Sequence, residues 1–197
     1  MFKVPVKYEY VVFAKLSEFQ ASVYRYYAKI EIAKLAASKE STAAKAKGGA
    51  GSLKSITMFK KLVNHPALLS RDEVPSELIP PGFTFKECQP EYSGKMWLLE
   101  QMIFQMRHQS DDKIVLISNY TQTLDSIQKM CVARRWGLCR LDGSMSIQKR
   151  QRLVDQFNDP TKPEFIFLLS SKAGGCGINL VSSHTPLRTL NVTNTLM

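Results

Sequence analysis

The chain has 197 residues, enough for one domain or one and a half, and its 44% hydrophobic content provides for a packed core and argues against wholesale disorder. Its 27 basic and 17 acidic residues give a formal net charge of +10, which favours a polyanionic partner such as nucleic acid, although a solvated basic surface has the same composition. The sequence holds neither an apolar run near the ~20 residues of a membrane span nor the apolar core of a secretory signal at its start.

The four cysteines limit which metal sites and disulfides are expected. They are Cys88, Cys131, Cys139 and Cys176. Because no two of them have C-x-x-C spacing, a zinc ribbon or finger is not expected, and four cysteines in a chain of this length do not indicate a disulfide framework. Reduced thiols in the cytosol or nucleus fit the composition best.

The amino-terminal part is predicted to be mainly helical. Val11-Val12-Phe13 predicts a short strand, and Ser17 with Gln20 forms a capping-box signature. A helix follows, with an apolar stripe that ends at Leu35. The tyrosines in this stripe fit a packed helix face, with base stacking as the alternative. Residues 36–52 are small and basic, which predicts a frayed helix end and a flexible linker.

Two more helices precede a change of rhythm. One runs from Leu53 to His65 and is stopped by Pro66, and the other runs from Lys95 to Arg107. A Pro-rich loop over residues 70–92 separates them.

From residue 113 onwards, short apolar strands alternate with helices. The predicted strands are Lys113–Ser118, Leu138–Leu141 and Phe165–Ser170, and the predicted helices are about Thr121–Arg135 and a helix capped by Ser146 that runs through Phe157. This order is typical of an α/β fold, in which a parallel sheet carries helices on both faces. Ligands of such sheets bind at the carboxyl ends of the strands.

The predicted strand ends are built for binding. They are Ser118-Asn119-Tyr120, Asp142-Gly143-Ser144 and Ser170–Gly177, and all three are small, polar or glycine-rich. Glycines let backbone N–H groups approach an anion, and Ser170, Ser171 and Lys172 would add side-chain donors to phosphate oxygens. A tight turn with no ligand is the alternative for the last loop.

A self-sufficient catalytic centre is missing from these residues. No string matches the phosphate-binding G-x-x-x-x-G-K-[ST] loop, and the acidic pair Asp111-Asp112 precedes a strand instead of following one, as a surface turn would. None of the three histidines has a metal-binding spacing, and no serine lies in G-x-S-x-G.

Several strings, in order, resemble the Swi/Snf-type DNA translocases of helicase superfamily two, and among them the recombinational-repair branch of the Rad-fifty-four type. The first three strings are Leu16-Ser17 with Gln20 and Tyr24, Lys61–Pro66 (KLVNHP) and Ser93-Gly94-Lys95. Ile117–Tyr120 (ISNY) with Thr123-Leu124-Asp125 is similar to motif IV, and Arg140–Ser144 (RLDGS) follows it. The last string, Ser170–Leu180 (SSKAGGCGINL), is similar to motif V. Together they cover roughly residues 4–180, and the last string is long and specific.

The resemblance implies a motor of two RecA-like lobes that close on ATP and move along the DNA backbone. It implies that Ser170, Ser171 and Lys172 face DNA phosphates, that Gly175, Gly177 and Asn179 lie near the nucleotide, and that Ser118, Asn119, Gln122 and Arg140 are further candidate DNA-backbone contacts. ATP and Mg²⁺ serve the complete motor, whose first lobe carries the P-loop and acidic box. Stable binding of either by this chain alone is not expected.

The resemblance ends at Leu180, where the family continues with a strand and a helix bearing the motif VI arginines. We therefore expect a helical lead-in over residues 1–92, a partial RecA-like second-lobe core over 93–180 and a divergent tail over 181–197. Arg188 is the only arginine of that tail, so an arginine finger, which contributes about 10³–10⁵ in rate in related enzymes, is not recognisable.

Three hypotheses follow. The first is that the chain is part of an ATP-dependent motor on double-stranded DNA and is inactive alone. Such a motor would act in the nucleus, in recombinational repair or chromatin remodelling. Its partners would be a recombinase filament or nucleosomes. The second is a non-enzymatic basic module that binds DNA or a protein partner, and the third is an unrelated α/β phosphate-binding protein. A membrane is not expected as a partner of any of them.

Overall fold

The computed structural model describes residues 8–40, 48–143, 145–173, 178–180 and 187–192. The helices are α1 (Glu18–Glu40), α2 (Gly48–Asn64), α3 (Gly94–Gln109), α4 (Thr121–Ala133) and α5 (Ile147–Asn158), and the strands are β1 (Lys113–Ser118), β2 (Leu138–Leu141), β3 (Ile166–Ser170) and β4 (Leu187–Asn191). Between α2 and α3 the chain forms short 3₁₀ turns within the Pro-rich loop.

The four strands form one parallel sheet in the order β2-β3-β1-β4. Side chains on each strand alternate between two cores. On one face, Ile114 and Leu116 of β1 pack with α3 and α4, and on the other face Val115 packs with Phe157 of α5. The predicted α/β fold, a parallel sheet with helices on both faces preceded by a helical segment, is confirmed.

The tail supplies a strand that the sequence pattern did not predict. Its residues 187–191 form β4, which lies beside β1, and Val192 joins the core under α3 and α4. The guanidinium of Arg188 lies 2.5 Å from the buried carboxylate of Asp112, just before β1. Residues 193–197 lie outside the described residues.

One prediction for the amino-terminal part needs correction. Val11, Val12 and Phe13 form no strand, and their side chains are 76%, 59% and 73% exposed. β-branched and aromatic residues favour a strand only where a neighbouring strand pairs with them. The predicted frayed helix end and linker over residues 36–52 include the end of α1 and the start of α2. Residues 41–47 lie outside the described residues, so the linker stays a prediction.

A third core lies apart from the sheet, in the lead-in formed by residues 8–92. It contains Phe19, Val23, Met58, Leu62, Leu69 and Val74, with Phe83 and Tyr92 packed edge-on around Phe19. The tyrosine of the α1 stripe that lies nearest this core, Tyr27, donates a hydrogen bond to the carbonyl of Glu73. The packed-face interpretation of that stripe holds for Tyr27, whereas Tyr26 is 41% exposed.

A buried glutamine, Gln20, bonds to groups of both the lead-in and the sheet domain. The amide nitrogen of Gln20 donates to the carbonyls of Leu62 (2.8 Å) and Val63 (3.1 Å) at the end of α2. Its oxygen accepts the N–H groups of Ser17 (3.0 Å) and Gly94 (3.1 Å). Gln20 thus satisfies backbone groups that two helix termini leave without partners inside their helices.

Ser93 completes this contact. Its hydroxyl donates to the carbonyl of Asn64 (2.6 Å) and accepts the N–H of Met96 (3.3 Å), so it closes α2 and caps α3. We call Ser17, Gln20, Asn64 and Ser93, together with the backbone groups that they bind, the polar seam.

The seam leaves room for one residue type at position 94. A Cβ atom on Gly94 would lie 1.6 Å from the carbonyl oxygen of Lys15, which crosses directly over the start of α3. A side chain there would push the entry segment off α3, so glycine permits the close approach.

We predict that Gln20→Ala lowers the free energy of unfolding by about 2–4 kcal/mol, because it leaves several buried backbone groups unpaired. Urea titration followed by circular dichroism measures the change. The matched control is Gln151→Ala, which removes an exposed hydrogen bond to Asp155 and is expected to cost less than about 0.5 kcal/mol. Equal losses in the two variants would contradict a structural role for the seam.

His65 is fully buried beside the seam. Its Nδ1 accepts the N–H of Ala67 (3.1 Å), and its Nε2 lies 2.9 Å from the carbonyl of Gln89, so the ring is neutral with its proton on Nε2. Burial lowers the pKa of His65 below its ordinary value. A histidine that stays neutral in the fold adds stability above the pKa of the unfolded chain, about 6.5, and this stability is lost as the pH falls below that value.

We therefore expect acidification from neutral pH to about pH 5 to destabilise the wild type more than the His65→Gln variant. Urea unfolding at the two pH values gives the difference, and His108→Gln, a change at an exposed histidine, is the control that should track the wild type. Parallel pH profiles for wild type and His65→Gln would contradict the assignment.

Candidate nucleic-acid interface

The carboxyl ends of β1 and β3 lie side by side and hold a tight turn. Ser118 and Ser170 are register partners at the ends of the two strands. Beyond them, the N–H of Ser171 donates to the carbonyl of Ser118 (3.1 Å), and the N–H of Ala173 donates to that of Ser170 (2.9 Å). The chain after β3 is thereby pinned onto the end of β1.

This arrangement sorts the predicted serines by exposure. Ser118 is fully buried and Ser170 is 5% exposed, and the hydroxyl of Ser118 accepts the N–H of Tyr120 (3.2 Å). Ser171 and Lys172 are exposed on the turn. Backbone hydrogen bonds hold the strand ends together. The hydroxyl of Ser171 and the ammonium group of Lys172 are exposed and can meet an anion in solution.

The start of α4 is the second exposed feature of this edge. Asn119 and Gln122 are exposed there. Tyr120 occupies the N-cap position and provides no side-chain hydrogen bond to the helix. The first backbone amides of α4 are thus not satisfied by a capping side chain, and the positive end of the helix dipole lies at the surface.

A chain of hydrogen bonds fixes α4 against the polar seam. The ammonium group of Lys95 lies 3.0 Å from Oδ1 of Asn64, whose Nδ2 donates to the hydroxyl of Thr123 (2.8 Å). Burial lowers the pKa of Lys95 to about 8. The end of α2, the start of α3 and the first turn of α4 are therefore held together by three side chains.

The side chain of Arg140 is only 18% exposed and is surrounded by acceptors. It lies on β2 under α4, where its guanidinium contacts Asp125 (2.7 Å), Gln128 (2.7 Å) and Asp142 (3.1 Å). Its contacts join β2 to α4. A role in contacting the DNA backbone stays a prediction, and it would require Arg140 to exchange one of these partners for a phosphate.

Of the residues predicted near the nucleotide, Asn179 is described, and it is not brought to this cluster. Gly175 and Gly177 lie outside the described residues. The carbonyl of Asn179 accepts a hydrogen bond from Asn158 (3.1 Å) at the far end of α5. Because α5 is 12 residues long, this contact lies roughly 16 Å along the helix from its start at the carboxyl edge.

Arg150 is a residue of this edge that the sequence analysis did not single out. Its guanidinium donates to the carbonyls of Gly143 (3.0 Å), Met145 (3.1 Å) and, more weakly, Ala173 (3.5 Å). It lies on the first turn of α5 and joins the loop after β2 to the turn after β3. The signal in the sequence is an arginine one turn beyond a glycine-containing strand end, where a planar donor can reach several carbonyls at once.

Other kinds of site find no support in the part of the chain that the structure describes. Its histidines, cysteines and acidic residues form no group that could hold a metal ion. None of its helices has the length and apolarity to cross a membrane. Cys88, Cys131 and Cys139 are free, and burial raises the pKa of Cys131 to about 12, so it is a packing residue.

Comparison with known proteins relates the residues of this edge to a described domain family. The model of the helicase conserved C-terminal domain matches residues 94–185, which include the ends of β1, β2 and β3 and the turn after β3. These residues are similar to the helicase conserved C-terminal domain.

The chain is also similar to part of several proteins of the Rad54 type. The chain is 48% identical over 92% of its length to the DNA repair protein rhp54 of Schizosaccharomyces pombe, of which it covers 22%. It is 47% identical to the DNA repair and recombination protein RAD54 of Saccharomyces cerevisiae and 44% identical to RAD54-like of Homo sapiens, covering 20% and 24% of them. The chain thus spans about a fifth to a quarter of these homologues.

Solved structures place the fold among SWI2/SNF2 ATPases. The C-terminal domain of the Sulfolobus solfataricus SWI2/SNF2 ATPase matches 92% of this chain with a TM-score of 0.61 at 24% identity, and 78% of that domain is covered. The core domain of the same ATPase matches 87% of this chain with a TM-score of 0.61 at 28% identity, and 32% of it is covered. The predicted RecA-like character of the fold is confirmed.

We predict that Arg150→Lys loosens the two loops that Arg150 joins, because an ammonium group cannot reach three carbonyls in one plane. Hydrogen–deuterium exchange should rise in peptides that cover residues 143–146 and 171–173. Arg152→Lys changes an exposed arginine on the same helix and is the control. If both variants leave exchange at these loops unchanged, Arg150 does not position them.

Proposed function

We propose that this chain supplies the second lobe of an ATP-driven motor that moves on double-stranded DNA in recombinational repair in the nucleus. The observation that carries the proposal is its 44–48% identity, over 92% of its length, to three proteins whose names state DNA repair or recombination. The core of the Sulfolobus solfataricus SWI2/SNF2 ATPase, which has the same fold in its second lobe, has been solved in complex with double-stranded DNA.

The carboxyl edge gives this proposal its chemistry. The Ser171 hydroxyl and the Lys172 ammonium group are exposed on a turn that is pinned to β1, so a phosphate there would meet a charged donor and a neutral donor at fixed positions. Asn119 and Gln122 at the start of α4 would extend the same surface. These contacts go to the sugar–phosphate backbone and carry no base information, as a translocating motor requires.

ATP and Mg²⁺ belong to the proposed complete motor. Of the residues predicted near the nucleotide, Gly175 and Gly177 lie outside the described residues, and Asn179 lies at the far end of α5. No step of ATP hydrolysis is therefore assigned to this chain's described residues. A recombinase filament or nucleosomes are the protein partners that the resemblance implies, and they stay proposals.

We expect the purified chain to bind a short labelled DNA duplex with an affinity that falls as salt rises. Lys172→Gln should weaken binding and reduce the slope of log K against log salt by about 0.9, the contribution of one phosphate contact. Fluorescence anisotropy over a salt series measures both. The control is Lys162→Gln, which removes the same charge at the amino-terminal edge of the sheet, before β3.

ATP turnover tests whether this chain needs a partner lobe. The 197 residues contain no G-x-x-x-x-G-K-[ST] string, so phosphate release by this chain alone should stay at background with or without duplex DNA. Turnover above background in a preparation free of contaminating ATPase would contradict a lobe that needs a partner lobe. A non-enzymatic binding module, which the net charge of +10 favours, predicts duplex binding that Lys172→Gln leaves unchanged.

A further inference from the structure

Residues 8–13 (YEYVVF), which we call the donor segment, hold their apolar side chains in solvent. Tyr8, Tyr10 and Val11 are 76%, 82% and 76% exposed, and Val12 and Phe13 are 59% and 73% exposed. None of the hydrophobic cores of the described residues includes any of them. A continuous exposed apolar stretch of this kind marks contact with another protein surface.

The composition of the donor segment is that of a strand buried on both faces. Valine and aromatic residues are enriched in strands. In an extended chain, Tyr8, Tyr10 and Val12 would point to one side, and Val11 and Phe13 to the other, so both sides are apolar. Strands with this pattern lie inside a covered sheet. The donor segment therefore fits the edge of a sheet better than it fits a flat surface.

The sheet offers such an edge at β4. Within the described part of the chain, β4 pairs with β1 on one side and with no strand on the other. The N–H of Val192 donates to the carbonyl of Ile117 on β1 (2.8 Å). Because backbone groups of successive residues point alternately to the two sides of a strand, Leu187, Thr189 and Asn191 direct their N–H and C=O groups away from β1. These groups form an open row of donors and acceptors.

One flank of α3 would cover a strand added to β4. Leu190 and Val192 pack in the same core as α3. On its other flank, α3 meets α4, because the carboxylate of Glu100 lies 2.6 Å from Arg134, and α4 packs on β1 and β3. The flank turned away from α4 therefore overhangs the β4 edge. Its apolar residues are half-buried, and they are Leu98, Met102 and Met106.

The donor segment and β4 also match in length and charge. The segment has six residues and β4 has five, whereas β2, at the other edge of the sheet, has four. Glu9 is the only charged residue of the segment and Arg188 the only one of β4, so their charges have opposite sign. Arg188 contacts Asp112 and is still 59% exposed. Pairing would thus run along the whole of β4 without a like-charge contact.

We propose that the donor segment of one copy of this chain adds as a strand to the open edge of β4 in a second copy. The segment and β4 of the same chain do not pair with each other, and a second copy supplies the missing half of each. In such strand addition the backbone hydrogen bonds give affinity and the alternate side chains give specificity. The inference does not depend on the proposed function.

The test is sedimentation velocity of the full 197-residue chain over a concentration series, which should show reversible association. Val11→Asp/Phe13→Asp should raise the dissociation constant by about a hundredfold or more, because pairing buries both side chains. The matched control is Ile147→Asp, which makes the same kind of change at a residue that is 86% exposed on α5 and should leave association unchanged.

The β4 edge is tested by Thr189→Pro. Proline removes an N–H that points away from β1 and leaves the bonds between β4 and β1 in place, so the variant should stay folded and lose association. Thermal melting verifies folding. Thr189→Lys, which places a charged side chain on the edge strand, replaces a proline variant that does not fold.

The two defective variants carry complementary halves of the contact. Mixed in equal amounts they should associate, because the donor segment of the Thr189→Pro copy can pair with β4 of the Val11→Asp/Phe13→Asp copy. Misfolding of either variant cannot produce this recovery. Each copy has a formal charge of +10, so added salt should strengthen association by screening repulsion, whereas it weakens duplex binding.

A wild type that stays monomeric at every concentration tested would overturn the inference. Association that the β4 variants leave unchanged would overturn it as well, since the donor segment would then bind elsewhere. A mixture of the two defective variants that remains monomeric would show that the two elements are not partners.

Discussion

The carbonyl groups at the end of α2 and the amides at the start of α3 face each other in a buried place, where an unpaired polar group costs about 1–3 kcal/mol. Gln20 and Ser93 supply the missing partners for both helix ends. The placement of the lead-in on the sheet domain depends on this seam, because its hydrogen bonds join the end of α2 to the start of α3. Through Asn64 it also sets the start of α4, and with it one side of the carboxyl edge.

The sheet domain is the part that sequence patterns describe well. β1 and β2 begin and end at the predicted residues because strands buried on both faces are short, continuous apolar runs between polar turns. Helix starts follow from local chemistry in the same way. The hydroxyl of Ser146 accepts the N–H of Lys149 at the start of α5, as its position before an amphipathic helix predicts.

Sequence patterns miss the elements whose structure depends on residues far away in the chain. Residues 11–13 have the composition of a strand but no strand beside them, whereas residues 187–191, with a polar and charged pattern, form β4 because β1 offers an open edge and Asp112 a partner for Arg188. In the candidate interface, tertiary packing also decides which side chains are exposed. Ser118 and Ser171 are similar in sequence context, yet the first is buried and the second is on the surface.

The seam also determines how the lead-in and the sheet domain can move relative to each other. Two apolar surfaces can slide past one another at little cost, since no contact has a required direction. Hydrogen bonds from Gln20 and Ser93 have fixed lengths and angles, and the carbonyl of Lys15 pressed against Gly94 leaves no room for a shift. A pull on the entry segment would therefore turn the sheet domain as a rigid lever instead of being absorbed as slippage between the two parts.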